Sequence, residues 1–106
     1  MVIAKSLGDA STYPYLKCII GKSGQVGERA VVHQFYLSDV DDPDLYAAEP
    51  LYNWETSDPG QWVMSNSVQV PIWNRMLDHT TYGYTYQIYA WLTPKDLTWF
   101  LLKWGK

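Results

Sequence analysis

A chain of 106 residues with 47% hydrophobic and 18% charged residues has the size and composition of one globular domain. That excludes disorder as the main state and makes two independent folding units an unsuitable reading, so 1–106 is expected to form a single domain. One cysteine, Cys18, and two histidines, His33 and His79, leave no intramolecular disulfide and no Cys/His zinc set, which fits a reducing, cytoplasmic setting for a chain of formal net charge −3.

Three apolar residues follow Met1, too few for the apolar core of a signal peptide, and no run approaches 18 apolar residues. Neither secretion nor membrane spanning is expected. Residues 13–20 alternate, with Leu16, Cys18 and Ile20 on one side and Tyr15, Lys17 and Ile19 on the other, as in a half-buried strand that Pro14 confines to an edge. The glycine-rich stretch GKSGQVG, 21–27, reads as a mobile hairpin tip. Residues 29–37 form the partner strand. Val31, His33, Phe35 and Leu37 lie on one face and Ala30, Val32, Gln34 and Tyr36 on the other, and two largely apolar faces predict a central position.

Turn formers at 38–43 end that strand. Asp42 is the predicted N-cap of a helix with Pro43 at its first position. Pro50 lacks an amide proton, which predicts a stop or kink there and a restart as PLYNWETS. Asp58 and Gln61 have the spacing of a capping box for a further helical piece, QWVMSNSV. The apolar positions Leu51 with Trp54, and Trp62 with Val63, suffice to dock these pieces on a sheet.

The period changes to two in VQVPIWNRML, where Pro71 argues for an edge strand. DHTTYG makes a turn, and residues 84–92, rich in aromatic and β-branched side chains, make the second arm of a hairpin. The end of the chain has Thr93 as N-cap, Pro94 at the first position, Lys103 in the last turn and Gly105 after it. Leu97, Phe100, Leu101 and Trp104 form one helical stripe, so a helix is predicted in preference to a third hairpin arm. The expected fold is α+β, an antiparallel sheet of about four strands covered on one face by short jointed middle helices and a C-terminal helix.

The familiar chemical motifs fail on spacing. Gly21, Lys22 and Ser23 would end a phosphate-binding loop, but that loop needs a glycine where this chain has Leu16. Counting from Asp39, a helix-loop-helix calcium site needs glycine at Asp44 and glutamate at Pro50, so no metal site is expected. His33, between Val32 and Phe35, suits a core histidine. Asp78 beside His79 could orient a general base, yet neither Cys18 nor any serine is marked as a nucleophile, which makes a small hydrolase the lesser reading. No catalytic residue and no cofactor is expected.

Charge is the most informative pattern. Residues 30–74 contain Asp39, Asp41, Asp42, Asp44, Glu49, Glu55 and Asp58 without one Lys or Arg, while the flanking segments are net positive. This acidic block is interleaved with Tyr46, Tyr52, Trp54 and Trp62, and six Trp, nine Tyr and two Phe are more rings than a small core absorbs. Asp39, Asp41, Asp42, Asp44, Tyr46, Glu49, Tyr52, Trp54, Glu55 and Trp62 are therefore the candidate partner-binding residues, with a protein of basic surface as the expected partner. The competing reading sends the rings inward and the carboxylates to water, as on any amphipathic helix.

The segment from His33 to Gly105, with DVDDPDLYAAEPLYNW, GQWVM and a final KDLTWFLLKWG, resembles small uncharacterised proteins of large tailed bacteriophages. Those proteins supply no activity and no functional residue to carry over. The resemblance implies a viral product made in a bacterial cytoplasm that binds host or viral machinery; the acidic surface points to an inhibitor or a mimic of nucleic acid, carboxylates taking the place of phosphates, rather than to direct nucleic-acid or membrane contact. A self-associating virion or assembly component is the alternative.

Overall fold

The computed structural model describes residues 8–9, 18–21, 24–38, 40–80 and 82–104. Its elements are β1 (Gly8–Asp9), β2 (Cys18–Ile20), β3 (Val26–Leu37), α1 (Pro43–Thr56), α2 (Asp58–Asn66), β4 (Ile72–Leu77), β5 (Tyr84–Leu92) and α3 (Pro94–Trp104). The sheet order is β1-β4-β5-β3-β2, and every pairing is antiparallel except the two-residue contact of β1 with β4. The fold is thus α+β: four antiparallel strands, a short parallel addition and three helices, the last at the C-terminal end.

The β2–β3 hairpin closes through Gly21, whose amide donates to the Gln25 carbonyl, and Gly24, which takes a positive φ of 83°. The strand resumes at Val26, three residues earlier than periodicity places it. Of the strand expected over 13–20, the structure shows Cys18–Ile20; its earlier part lies outside the described residues. The β4–β5 hairpin turns on Asp78, which accepts from the Tyr82 amide through its carbonyl and from the Thr80 amide through Oδ1. Gly83 is required beside this turn because a Cβ there would overlap the Tyr36 phenol and the Leu37 carbonyl oxygen.

β5 pairs on both sides along most of its length and carries the core. Ile88, Ala90 and Leu92 face the helices and join Trp54, Val63 and Phe100, with Val32, Leu51, Trp62, Leu97 and Trp104 packed around them. On the opposite face Ile72, Tyr89 and Trp91 make a smaller cluster with Ile19 and Val68. Beyond the start of β4 the loop takes over its ladder: the Val68 amide donates to the Trp91 carbonyl, and Ser67 Oγ accepts from the Trp91 amide. Further along that face the sheet is polar, with Gln87 donating to Gln34, and Tyr36 and Met76 exposed.

Three local expectations are corrected. Strict alternation along β3 is broken by a bulge between Val31 and His33, where Val31 opposes Tyr89 and His33 opposes Ile88. The extra residue moves Val31 to the face away from the helices, puts Ala30 and His33 on the same helix-covered face, and leaves Val31 exposed. Of the stop or kink expected at Pro50, the stop is overturned: α1 runs through the proline to Thr56. Ala47 and Trp54, on either side of the proline, are both buried, and that packing outweighs the amide bond Pro50 removes. α2 begins at Asp58 with Ser57 as its cap, one residue before the predicted position: Ser57 Oγ accepts from the Gly60 amide at 3.2 Å. Gly60 is needed at this joint because a Cβ would overlap the Trp54 carbonyl.

α3 agrees with the prediction at its start, where Thr93 Oγ1 accepts from the Asp96 amide at 3.3 Å. The hairpin alternative for this segment is not what forms. Leu101, however, is 56% exposed rather than part of the buried stripe, because it falls at the edge of the packed face formed by Leu97, Phe100 and Trp104.

Candidate functional site

α1 displays the central part of the acidic block. Asp42 occupies its N-cap position in the left-handed region, φ 51°, and makes no side-chain cap bond; Pro43 supplies the first helical residue. At the second helical residue, Asp44 Oδ1 accepts from Arg75 Nη1 on β4 at 2.9 Å and from the Tyr86 hydroxyl on β5 at 2.6 Å. Burial, followed by the bond to Asp44, pushes the Tyr86 phenol well above the usual tyrosine range, so it remains the donor. Phe35 stacks on the Tyr86 ring at 5.1 Å, and Arg75 lies over the Tyr84 ring at 5.4 Å. Asp44 therefore ties the start of α1 to the sheet and is committed to that contact.

The outward side of α1 is different. Leu45, Glu49 and Tyr52 stand at i, i+4 and i+7 opposite the buried Ala47 and Trp54, and Leu45 is 71% and Tyr52 65% exposed. Tyr46 flanks this stripe and is also exposed, while Asp41 and Asp42 are exposed just before the helix. Of the predicted residues, Tyr46, Glu49 and Tyr52 are exposed on α1, and Asp41 and Asp42 are exposed just before it. Trp54 is not among them: its ring is 6% exposed in the core. Glu55 is half-buried, and Asp39 lies outside the described residues. Trp62 is half-buried on α2 and stacks on Trp99 at 4.8 Å, with Phe100 and Trp104 close by.

A groove of about 710 Å³ opens between α1, α3 and β3, lined in part by Val32, His33, Pro50, Trp54, Phe100 and Leu101. His33 stacks on Trp54 with centroids 6.0 Å apart and planes 18° apart. Burial lowers its pKa from the ordinary 6.5, so it is neutral at pH 7. His79, by contrast, is exposed in the β4–β5 turn, and Asp78 Oδ1 serves the Thr80 amide there. Among the described residues no three His, Cys, Asp or Glu side chains gather as a metal-ligand set, and no helix is long and apolar enough to cross a membrane.

The charge pattern did not single out a second exposed surface, on α3. Lys95, Trp99, Leu102 and Lys103 follow one another along the side opposite Leu97, Phe100 and Trp104, with Trp99 42% and Leu102 82% exposed. Lys103 Nζ lies 5.4 Å from the Trp99 ring and 5.7 Å from that of Trp104. The signal was available in the sequence, as the spacing i, i+4, i+7, i+8 opposite the predicted stripe of Leu97, Phe100 and Trp104. The chain matches no family model, no curated protein and no solved structure.

Proposed function

We propose that this is a non-catalytic binding protein, phage-encoded as its resemblance implies, whose outward α1 surface grips a protein partner of basic character. One observation carries the reading: Leu45, Tyr46 and Tyr52 are exposed beside Asp41, Asp42 and Glu49, in a stretch of chain, 30–74, with no Lys or Arg. Exposed aromatic and aliphatic side chains give a partner apolar area to bury. The surrounding carboxylates steer a basic surface toward it and reject acidic ones. Arg75, the cation bonded to this helix, is taken up by Asp44, so it does not neutralise the stripe.

The test is affinity capture at low and high salt from the bacterial cytosol, comparing the native chain with the variant Asp41→Asn, Asp42→Asn, Glu49→Gln. Asp44 is left unchanged because its loss would loosen the helix itself. Asparagine at 42 tolerates the left-handed backbone there. A partner held through these charges is lost from the variant by on the order of tenfold and is released from the native chain by salt. Equal capture of the same partner by both forms, at either salt concentration, overturns the reading.

A further inference from the structure

We infer that the basic surface fitting the α1 stripe is the α3 stripe of a second copy of this chain, in a two-fold dimer in which each copy's α1 crosses its partner's α3. The inference rests on the reading of α1 as a binding surface and names its occupant. Both helices pack on the same side of the sheet and border the groove over Val32 and His33; the outward side of α1 is exposed, and that of α3 is exposed at Lys95, Leu102 and Lys103, with Trp99 resting against Trp62 of α2. The two faces are complementary. α1 offers Leu45, Tyr46 and Tyr52 with Glu49 and the preceding Asp41 and Asp42; α3 offers Trp99 and Leu102 with Lys95 and Lys103.

Each exposed apolar cluster thus has carboxylates on one helix and ammonium groups on the other, the arrangement that favours α1 against α3 and disfavours either helix against itself. Because the two helices border one groove, a two-fold axis over it satisfies both crossings at once, and a closed pair leaves neither stripe free to propagate. Size makes this a weak closure. A helix the length of α3 presents a strip of about 16 Å by about 10 Å, too little alone for a specific contact. Two such crossings, with both partners counted, bury about 640 Å², less than the roughly 1,000 Å² of a stable specific interface. Association is therefore expected to depend on concentration and salt.

Sedimentation velocity between about 10 μM and about 1 mM, a range that spans weak association, provides the test, using the native chain and two charge-reversed variants. The first is Lys95→Glu with Lys103→Glu; the second is Asp41→Lys with Glu49→Lys. All four positions are exposed, and circular dichroism checks that each variant is folded. The native chain is expected to pass from monomer to dimer. Each variant alone stays monomeric at concentrations where the native chain is dimeric, since its two crossings now join like charges. An equimolar mixture recovers a one-to-one dimer, because both crossings again join opposite charges. A native chain that remains monomeric throughout overturns the inference, as does a variant that dimerises like the native chain, a mixture that fails to recover, or growth beyond the dimer. Failure here is separable from failure of the α1 reading: a monomeric chain that still captures a basic protein through Asp41, Asp42 and Glu49 loses only the second copy as its partner.

Discussion

α1 and α3 sit on the same sheet face and both open on a proline, yet they are held there in different ways. α3 is held by its own side chains: Leu97, Phe100 and Trp104 recur on one side, Thr93 caps the start, and Lys103 stands in the last turn. α1 has no comparable stripe. It buries Ala47 and Trp54, leaves Leu45, Tyr46 and Tyr52 in water, contains Pro50, and is tied at its first turn by Asp44 to Arg75 and Tyr86. The difference teaches that a helix can be poorly specified by its own sequence and still form, provided distant residues hold it at two points. It also leaves Leu45, Tyr46 and Tyr52 exposed on the outward face of α1, the observation on which the proposed partner rests.

The largest break in this comparison comes from the inner anchor. Trp54→Ala is expected to cost about 3–5 kcal/mol in urea unfolding, whereas Leu102→Ala, removing a side chain that is 82% exposed on α3, costs far less, about 0.5 kcal/mol. Similar losses at the two positions would mean that α1 does not depend on Trp54 as described. The outer anchor comes next. Asp44→Ala leaves the buried Tyr86 hydroxyl without its acceptor and is expected to cost about 1–3 kcal/mol; Tyr86→Phe removes donor and demand together and costs about 0.5–1.5 kcal/mol. In the double variant the two losses should not add, and full additivity in a double-mutant cycle would show that the bond is not what holds α1.

The smallest effect concerns His33, which stacks on the Trp54 anchor. Its folded pKa lies below the ordinary 6.5, so at pH just under that value the unfolded chain binds more protons than the folded one. Stability from this group is full above 6.5 and is lost as the pH falls below it toward the lowered folded value. The thermal midpoint is expected to decline slightly from pH 7 to pH 5, and His33→Phe should flatten that decline. An unchanged slope in the variant would assign it to other groups.

The candidate surface was legible to an uneven degree. Absence of cations from 30–74 marked the region, and Asp41, Asp42, Tyr46, Glu49 and Tyr52 are each exposed. Nothing local distinguished Asp44 from its neighbours, because its partners lie 31 and 42 residues away. Trp54 could not be told from Tyr52 for a similar reason: α1 shows no clear apolar side of its own, so which ring turns inward depends on where the sheet is.

By itself the sequence determined the elements whose signals are local. β5 spans the residues its aromatic and β-branched content predicted, and α3 begins at the capping residue its chemistry predicted, because dihedral preference, alternation and capping all act within a few residues. Only the tertiary structure decided that α1 continues through Pro50, that β3 is bulged at Val31 and His33, and that Leu101 is exposed while Trp54 is buried. Each of these balances a local cost against packing with residues far along the chain, and that packing acquires its magnitude only after the sheet has formed.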